Sequence, residues 1–177
     1  MRATGHDALR QAVSEMPMRI RKAYKDWEHA PDHVQERGVR LEVQIQDVEP
    51  LAWLRAQPFP RQIYWDPRGE GDTWAGVGLC HECTQGSVEH PEALFRRTRE
   101  VIEAFGPQKP TYLGGFSFTG QSIEELPWPE LGKCRFWIPF AEVRRTKTGC
   151  LLACNLFFQR NVERPMQDCL HEWRAVV

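Results

Sequence analysis

Residues 111–118 spell TYLGGFSF. Apolar and aromatic residues flank two adjacent glycines, with Pro110 before the run and Gly120 after it. A run of this length between such breakers predicts a buried strand. Glycine weakens a strand by about 0.5–1 kcal/mol relative to alanine, so two in succession need a local cause. A tight bend, a bulge or the close approach of a backbone or ligand would each supply one. A bent core strand is the expectation from these residues, with a ligand contact as the alternative.

On the N-terminal side of this run, Leu94, Thr98, Val101, Ile102 and Phe105 recur at helical spacing. Pro91 suits a first turn and Gly106-Pro107 a stop, so one long central helix is predicted over 91–105. Further back, Val39, Leu41, Val43 and Ile45 alternate with Arg40, Glu42, Gln44 and Gln46, the pattern of a strand with one wet face. Asp47 is placed to cap a short helix carrying Leu51, Trp53 and Leu54. Ile63-Tyr64-Trp65 and an extended run over 73–82 predict a hairpin about Asp66-Pro67-Arg68-Gly69, with Gly76 and Gly78 leaving room for a neighbour. Residues 1–38 differ in character and read as a helical appendage. Ala8, Ala12 and Met16 line a short helix that Pro17 ends or kinks. The basic stretch around Ile20, Ala23, Tyr24 and Trp27 reads as a helix with a solvated face.

Downstream, 123–131 is expected to be a loop or broken helix, and Phe136-Trp137-Ile138-Pro139 a short aromatic strand. Residues 141–146 and 150–159 predict an antiparallel hairpin across Lys147-Thr148-Gly149. Met166, Leu170, Trp173 and Val177 keep helical spacing, giving a terminal helix or connection over 161–177. The expected fold class is α+β, mostly antiparallel sheet, with the main domain over 39–160.

A chain of 177 residues is one domain, large enough to bury roughly 70% of its extended surface. A net charge of −1 provides no footprint for nucleic acid or an anionic membrane surface. The sequence contains no apolar run long enough to span a bilayer, and residues 1–10 lack the apolar core of a secretory signal. The expected location is cytoplasmic, with the six cysteines as reduced thiols.

Four groups of residues bear on possible chemistry. Cys80-His81-Glu82-Cys83 with Cys150 and Cys154 suggests a zinc site. Strand geometry opposes it, because residues four apart on a strand lie about 13 Å from each other. His81 beside Cys80 and His171 beside Cys169 suggest an activated thiol, but neighbours on a strand face opposite ways. Glu124 and Glu125 suggest a metal or acid–base pair, yet lie among prolines where solvated carboxylates are the norm. Gly114-Gly115 lacks the spacing and lysine of a phosphate loop. No catalytic, cofactor-binding or metal-binding residue is assigned.

Five segments in order carry a resemblance: DVEPLAWL at 47–54, YWDPR at 64–68, GVG at 76–78, LGGFSF at 113–118 and FWIP at 136–139. Together they resemble the N-terminal half of isochorismate synthases, within the chorismate-utilising enzymes that include anthranilate, aminodeoxychorismate and salicylate synthases. The resemblance covers roughly residues 39–160. The Tyr64-Trp65-x-x-Arg68 segment is similar to the isochorismate branch, and the Leu-Leu-Glu-Ser motif of tryptophan-sensing members is missing.

The resemblance implies the N-terminal part of a two-sheet fold. It further implies that the reacting groups lie in a C-terminal half that this sequence does not match. Those groups are a water-activating lysine, a glutamate general acid and glutamates holding Mg2+. Arg68, Gly114 and Gly115 match family positions without thereby becoming chorismate ligands. The expected function is a scaffold portion of an isochorismate synthase-like protein of menaquinone or siderophore synthesis, inactive by itself. Its expected partner is a complementary half or a second copy. The alternatives are a non-enzymatic binding or assembly module of the same fold, and a cysteine-based zinc protein.

Overall fold

The computed structural model describes residues 5–68, 71–84, 91–116 and 134–176. Its elements run α1 (Gly5–Glu28), β1 (Glu36–Ile45), α2 (Pro50–Ala56), β2 (Gln62–Trp65), β3 (Thr73–Val77), β4 (His81–Thr84), α3 (Pro91–Ala104), β5 (Leu113–Phe116), β6 (Cys134–Ile138), β7 (Ala141–Thr146), β8 (Gly149–Gln159) and α4 (Met166–Arg174). The fold is α+β with antiparallel pairing throughout. A large sheet has the order β1-β8-β7-β3-β2 and a small one the order β4-β6-β5.

The alternation predicted for β1 divides the large sheet's two faces. Val39, Leu41, Val43 and Ile45 turn to the side where Leu152, Cys154, Leu156 and Phe158 of β8 meet α1 and α4. Glu36, Gly38, Arg40 and Glu42 turn the other way, toward α3 and the small sheet. α1 is the longest helix and packs Ala12, Met16, Ile20, Ala23 and Tyr24 into the main core. Pro17 neither ends nor breaks it. Proline removes the N–H that would bond the carbonyl four residues back, here Val13. That carbonyl instead accepts the indole N–H of Trp173 from α4, at 2.9 Å. The cap of α2 is Glu49, whose carboxylate accepts from Ala52 N–H at 2.7 Å, and not Asp47.

The run predicted as one extended segment over 73–82 is two strands in two sheets. At Gly78 (φ 68°) the chain leaves the large sheet for the small one, and the partner strand makes the same passage at Pro139-Phe140. Val77 O accepts from Phe140 N–H and Ile138 O from Cys80 N–H, both at 2.9 Å, so both strands round the corner still bonded. Glycine is favoured there by the φ of 68°, and a Cβ on Gly78 would also press to 3.0 Å from Phe140 Cβ. The room anticipated at Gly76 is taken by Pro139, 2.4 Å from where a Cβ would sit.

The double glycine corrects an expectation. β5 is not a buried central strand: it is an edge of the small sheet among the described residues, with only Leu113 buried. Gly114 has φ 155°, and a Cβ there would fall 2.0 Å from Arg135 O. Gly115 meets nothing within 4 Å, so the close approach of a backbone falls on Gly114 alone. Ser117, Phe118, Ile123, Glu124, Glu125 and Leu131 lie outside the described residues.

Candidate functional site: the layer between the two sheets

The large sheet's face away from α1 concentrates the molecule's buried polar groups. Arg40 on β1, Glu142 on β7 and Asn155 on β8 are 4%, 2% and 0% exposed. Antiparallel register sets Arg40 opposite Asn155 and brings Glu142 beside it across β8. Arg40 donates from Nη2 to Glu142 Oε1 at 2.5 Å, from Nη1 to Asn155 Oδ1 at 2.9 Å and from Nε to Glu42 Oε1 at 2.5 Å. Asn155 Nδ2 in turn donates to Glu142 Oε2 at 3.2 Å and Pro139 O at 2.9 Å. Burial works against the guanidinium charge, but Glu142 and Glu42 outweigh it and hold the Arg40 pKa above its ordinary value. A buried charge is tolerated only when paired in this way.

Two further clusters continue the layer. Toward α3, Arg97 makes a two-pronged pair with Glu36 at 2.5 and 2.7 Å, and Gln159 adds a third bond to that carboxylate. Arg97 is the main cause of the lowered Glu36 pKa. His81 on β4 stacks edge-on against Phe157, and its Nδ1 lies 2.7 Å from Tyr112 Oη. Burial, with Arg97 nearby, depresses the His81 pKa to about 4. Burial and the Cys83 thiol raise that of Tyr112, and burial raises that of Cys83. At neutral pH all three are therefore uncharged, which suits a hydrogen-bonded core more than nucleophilic chemistry. At the opposite end, Arg144 pairs with Asp72 and lies 4.8 Å over the Trp74 ring.

The candidate residues from sequence do not converge on one point, although Cys169 is near enough to Cys80 and Cys154 to add to the rise that burial gives each thiol's pKa, and Cys83 lies 3.9 Å from His81 Nδ1. Cys83 sits by Tyr112 in the small sheet, while Cys150 lies at the start of β8, with Val48 N–H pointing at its sulfur from 3.5 Å. Cys80 and Cys154 are thiols whose pKa burial raises. Among the described residues, no three His, Cys, Asp or Glu side chains converge as a metal-holding set. Those residues fit neither the zinc arrangement nor an Mg2+ site. Cys169 accepts a hydrogen bond from Tyr24 Oη at 2.9 Å, whereas His171 faces outward on α4. Arg68 lies on an exposed turn, where its N–H bonds Asp66 Oδ1. Gly114 and Gly115 are on the β5 edge, beside exposed Phe116 and Phe95, whose rings are 5.8 Å apart.

Sequence reasoning missed the Arg40–Glu142–Asn155 network. Its available signal was polar residues facing away from the core stripe on β1 and β8, which also describes an ordinary wet face.

Two antiparallel sheets around such a layer define a class of mixed α/β domain. The family described as "Chorismate binding enzyme" matches residues 22–176, so the chain belongs to that family. Among solved structures, it is similar to MenF, the menaquinone-specific isochorismate synthase from Escherichia coli. The TM-score is 0.56 and the identity 15%, over 96% of this chain and 34% of that one. The likeness is one of fold, and the chain spans about a third of that protein's length. No curated protein matches it. No helix among the described residues is long and apolar enough to cross a membrane.

Proposed function

We propose that the chain is a scaffold portion of an isochorismate synthase-like protein. It builds the framework for converting chorismate to isochorismate, in menaquinone or siderophore synthesis, without supplying the reacting groups. The observation that carries this reading is where the candidate reacting groups stand. Lys22, Lys25, Lys109 and Lys147 are all exposed, the buried carboxylate Glu142 is bonded to Arg40 and Asn155, and Glu172, whose pKa burial raises, is paired with Arg164. A lysine that activates water must face an enclosed substrate, and a general acid needs an oxygen free to donate. The described residues offer neither. The partner this reading requires is a complementary portion carrying the lysine, the acid and the carboxylates that hold Mg2+. Six free cysteines suit the cytoplasm.

The test is incubation of the purified chain with chorismate and Mg2+, with products separated by chromatography. Chorismate should be recovered unchanged; isochorismate formed in proportion to protein would overturn the proposal.

A further inference from the structure

The helical side of the large sheet holds a cleft that has no part in the layer between the sheets. Leu9 and Val13 of α1, Val48, Trp53 and Ala56 around α2, and Val176 wall a cavity of about 690 Å³. That size lies within the range of small-molecule sites, and its walls are mostly aliphatic.

Of the acidic side chains at its rim, Asp47 pairs through one oxygen with Arg145 at 3.1 Å, and Glu49 accepts through one oxygen from Ala52 N–H at 2.7 Å. Ser14 donates its hydroxyl to Gln11 O at 2.8 Å. Two donors stand without such partners. Arg10 lines the cavity and has no ion-pair or hydrogen-bond partner among the described residues. Trp53 is 4% exposed, and its buried indole N–H has no acceptor among the described residues, as is true of Trp74 and Trp137 elsewhere. A buried N–H left unpaired costs free energy, and that of Trp53 belongs to a residue lining an apolar cavity with room for an acceptor from outside. A guanidinium at the same cavity favours an acceptor with negative charge.

We propose that this cavity binds a small monoanionic acid with an apolar body, whose carboxylate is taken by Arg10 and the Trp53 indole N–H. The aliphatic walls receive the body.

Octanoate is the probe, titrated into the full chain while the indole N–H resonances are followed by NMR and the heat by calorimetry. The Trp53 indole resonance should move saturably at submillimolar octanoate. Arg10→Ala should weaken octanoate at least tenfold and leave 1-octanol unaffected. Ala56→Phe, at an exposed position, should block both. An unmoved Trp53 resonance at millimolar octanoate, or equal octanoate affinity in the Arg10→Ala protein, would overturn the proposal. So would 1-octanol binding as tightly as octanoate.

Discussion

Gly114 and Gly115 are chemically identical neighbours in one strand, and their surroundings make them opposites. A methyl group on Gly114 would enter the Arg135 carbonyl, and its φ of 155° is strained for any L side chain. Gly115 faces open space. Gly114→Ala should therefore destabilise by several kcal/mol, while Gly115→Ala, freed of glycine's entropy cost, should be neutral or stabilising by up to about 1 kcal/mol. Urea unfolding of the two variants checks this. His81 makes a pH prediction. Its pKa is about 4 folded and 6.5 unfolded, so the unfolded chain binds the extra proton between those values. Stability should be full above pH 6.5 and fall as pH drops toward 4, by up to about 3 kcal/mol. Glu36, held low by Arg97, adds its own loss as pH falls below the ordinary carboxyl value of 4.5 toward its lowered folded value. Thermal melts from pH 7 to 4 should show the decline, and His81→Phe should flatten it. At this scale the sequence was least legible. The two glycines differ through Arg135, and Arg40 meets Glu142 and Asn155 only after three strands align.

Elements were more legible, because periodicity is local. The alternation of β1, the hairpin of β7 and β8 and the helical faces of α3 and α4 could each be read from their own residues. Pro17 misled because its remedy lies 156 residues away in Trp173, whose indole N–H caps the carbonyl that proline leaves unpaired. This sets up a double-mutant cycle. Trp173→Phe should cost about 1–3 kcal/mol more than its lost packing alone, since Val13 O is left without a partner. In a Pro17→Ala background the helix supplies that partner itself, so Trp173→Phe should cost less by about 1 kcal/mol. Equal costs in both backgrounds would show that the indole bond does not compensate for the proline. The passage at Gly78 was hidden for another reason. Strand residues on either side of a sheet corner carry the same composition, and only the glycine hints at the turn.

For the whole molecule, five short motifs pointed to the right family, and the match over residues 22–176 bears that out. What they could not convey is how the layers divide their labour. One face of the large sheet is an apolar core, aliphatic and aromatic, packed under α1 and α4, and the other carries the Arg40–Glu142–Asn155 network under α3 and the small sheet. A carboxylate bonded in that way suits a framework, and this underlies the expected lack of chorismate turnover. The pairing of β1 with β8 bears also on how the chain reaches this state. Leu41 is matched with Cys154, more than a hundred residues later, and β8 joins β1 to the rest of its sheet. Closing so long a loop precedes any reward from the contacts it brings, which places folding toward the slow, millisecond-to-second end for mixed domains. During synthesis β1 waits with both edges open and the stripe Val39-Leu41-Val43-Ile45 uncovered, the kind of segment that invites premature pairing between nascent chains.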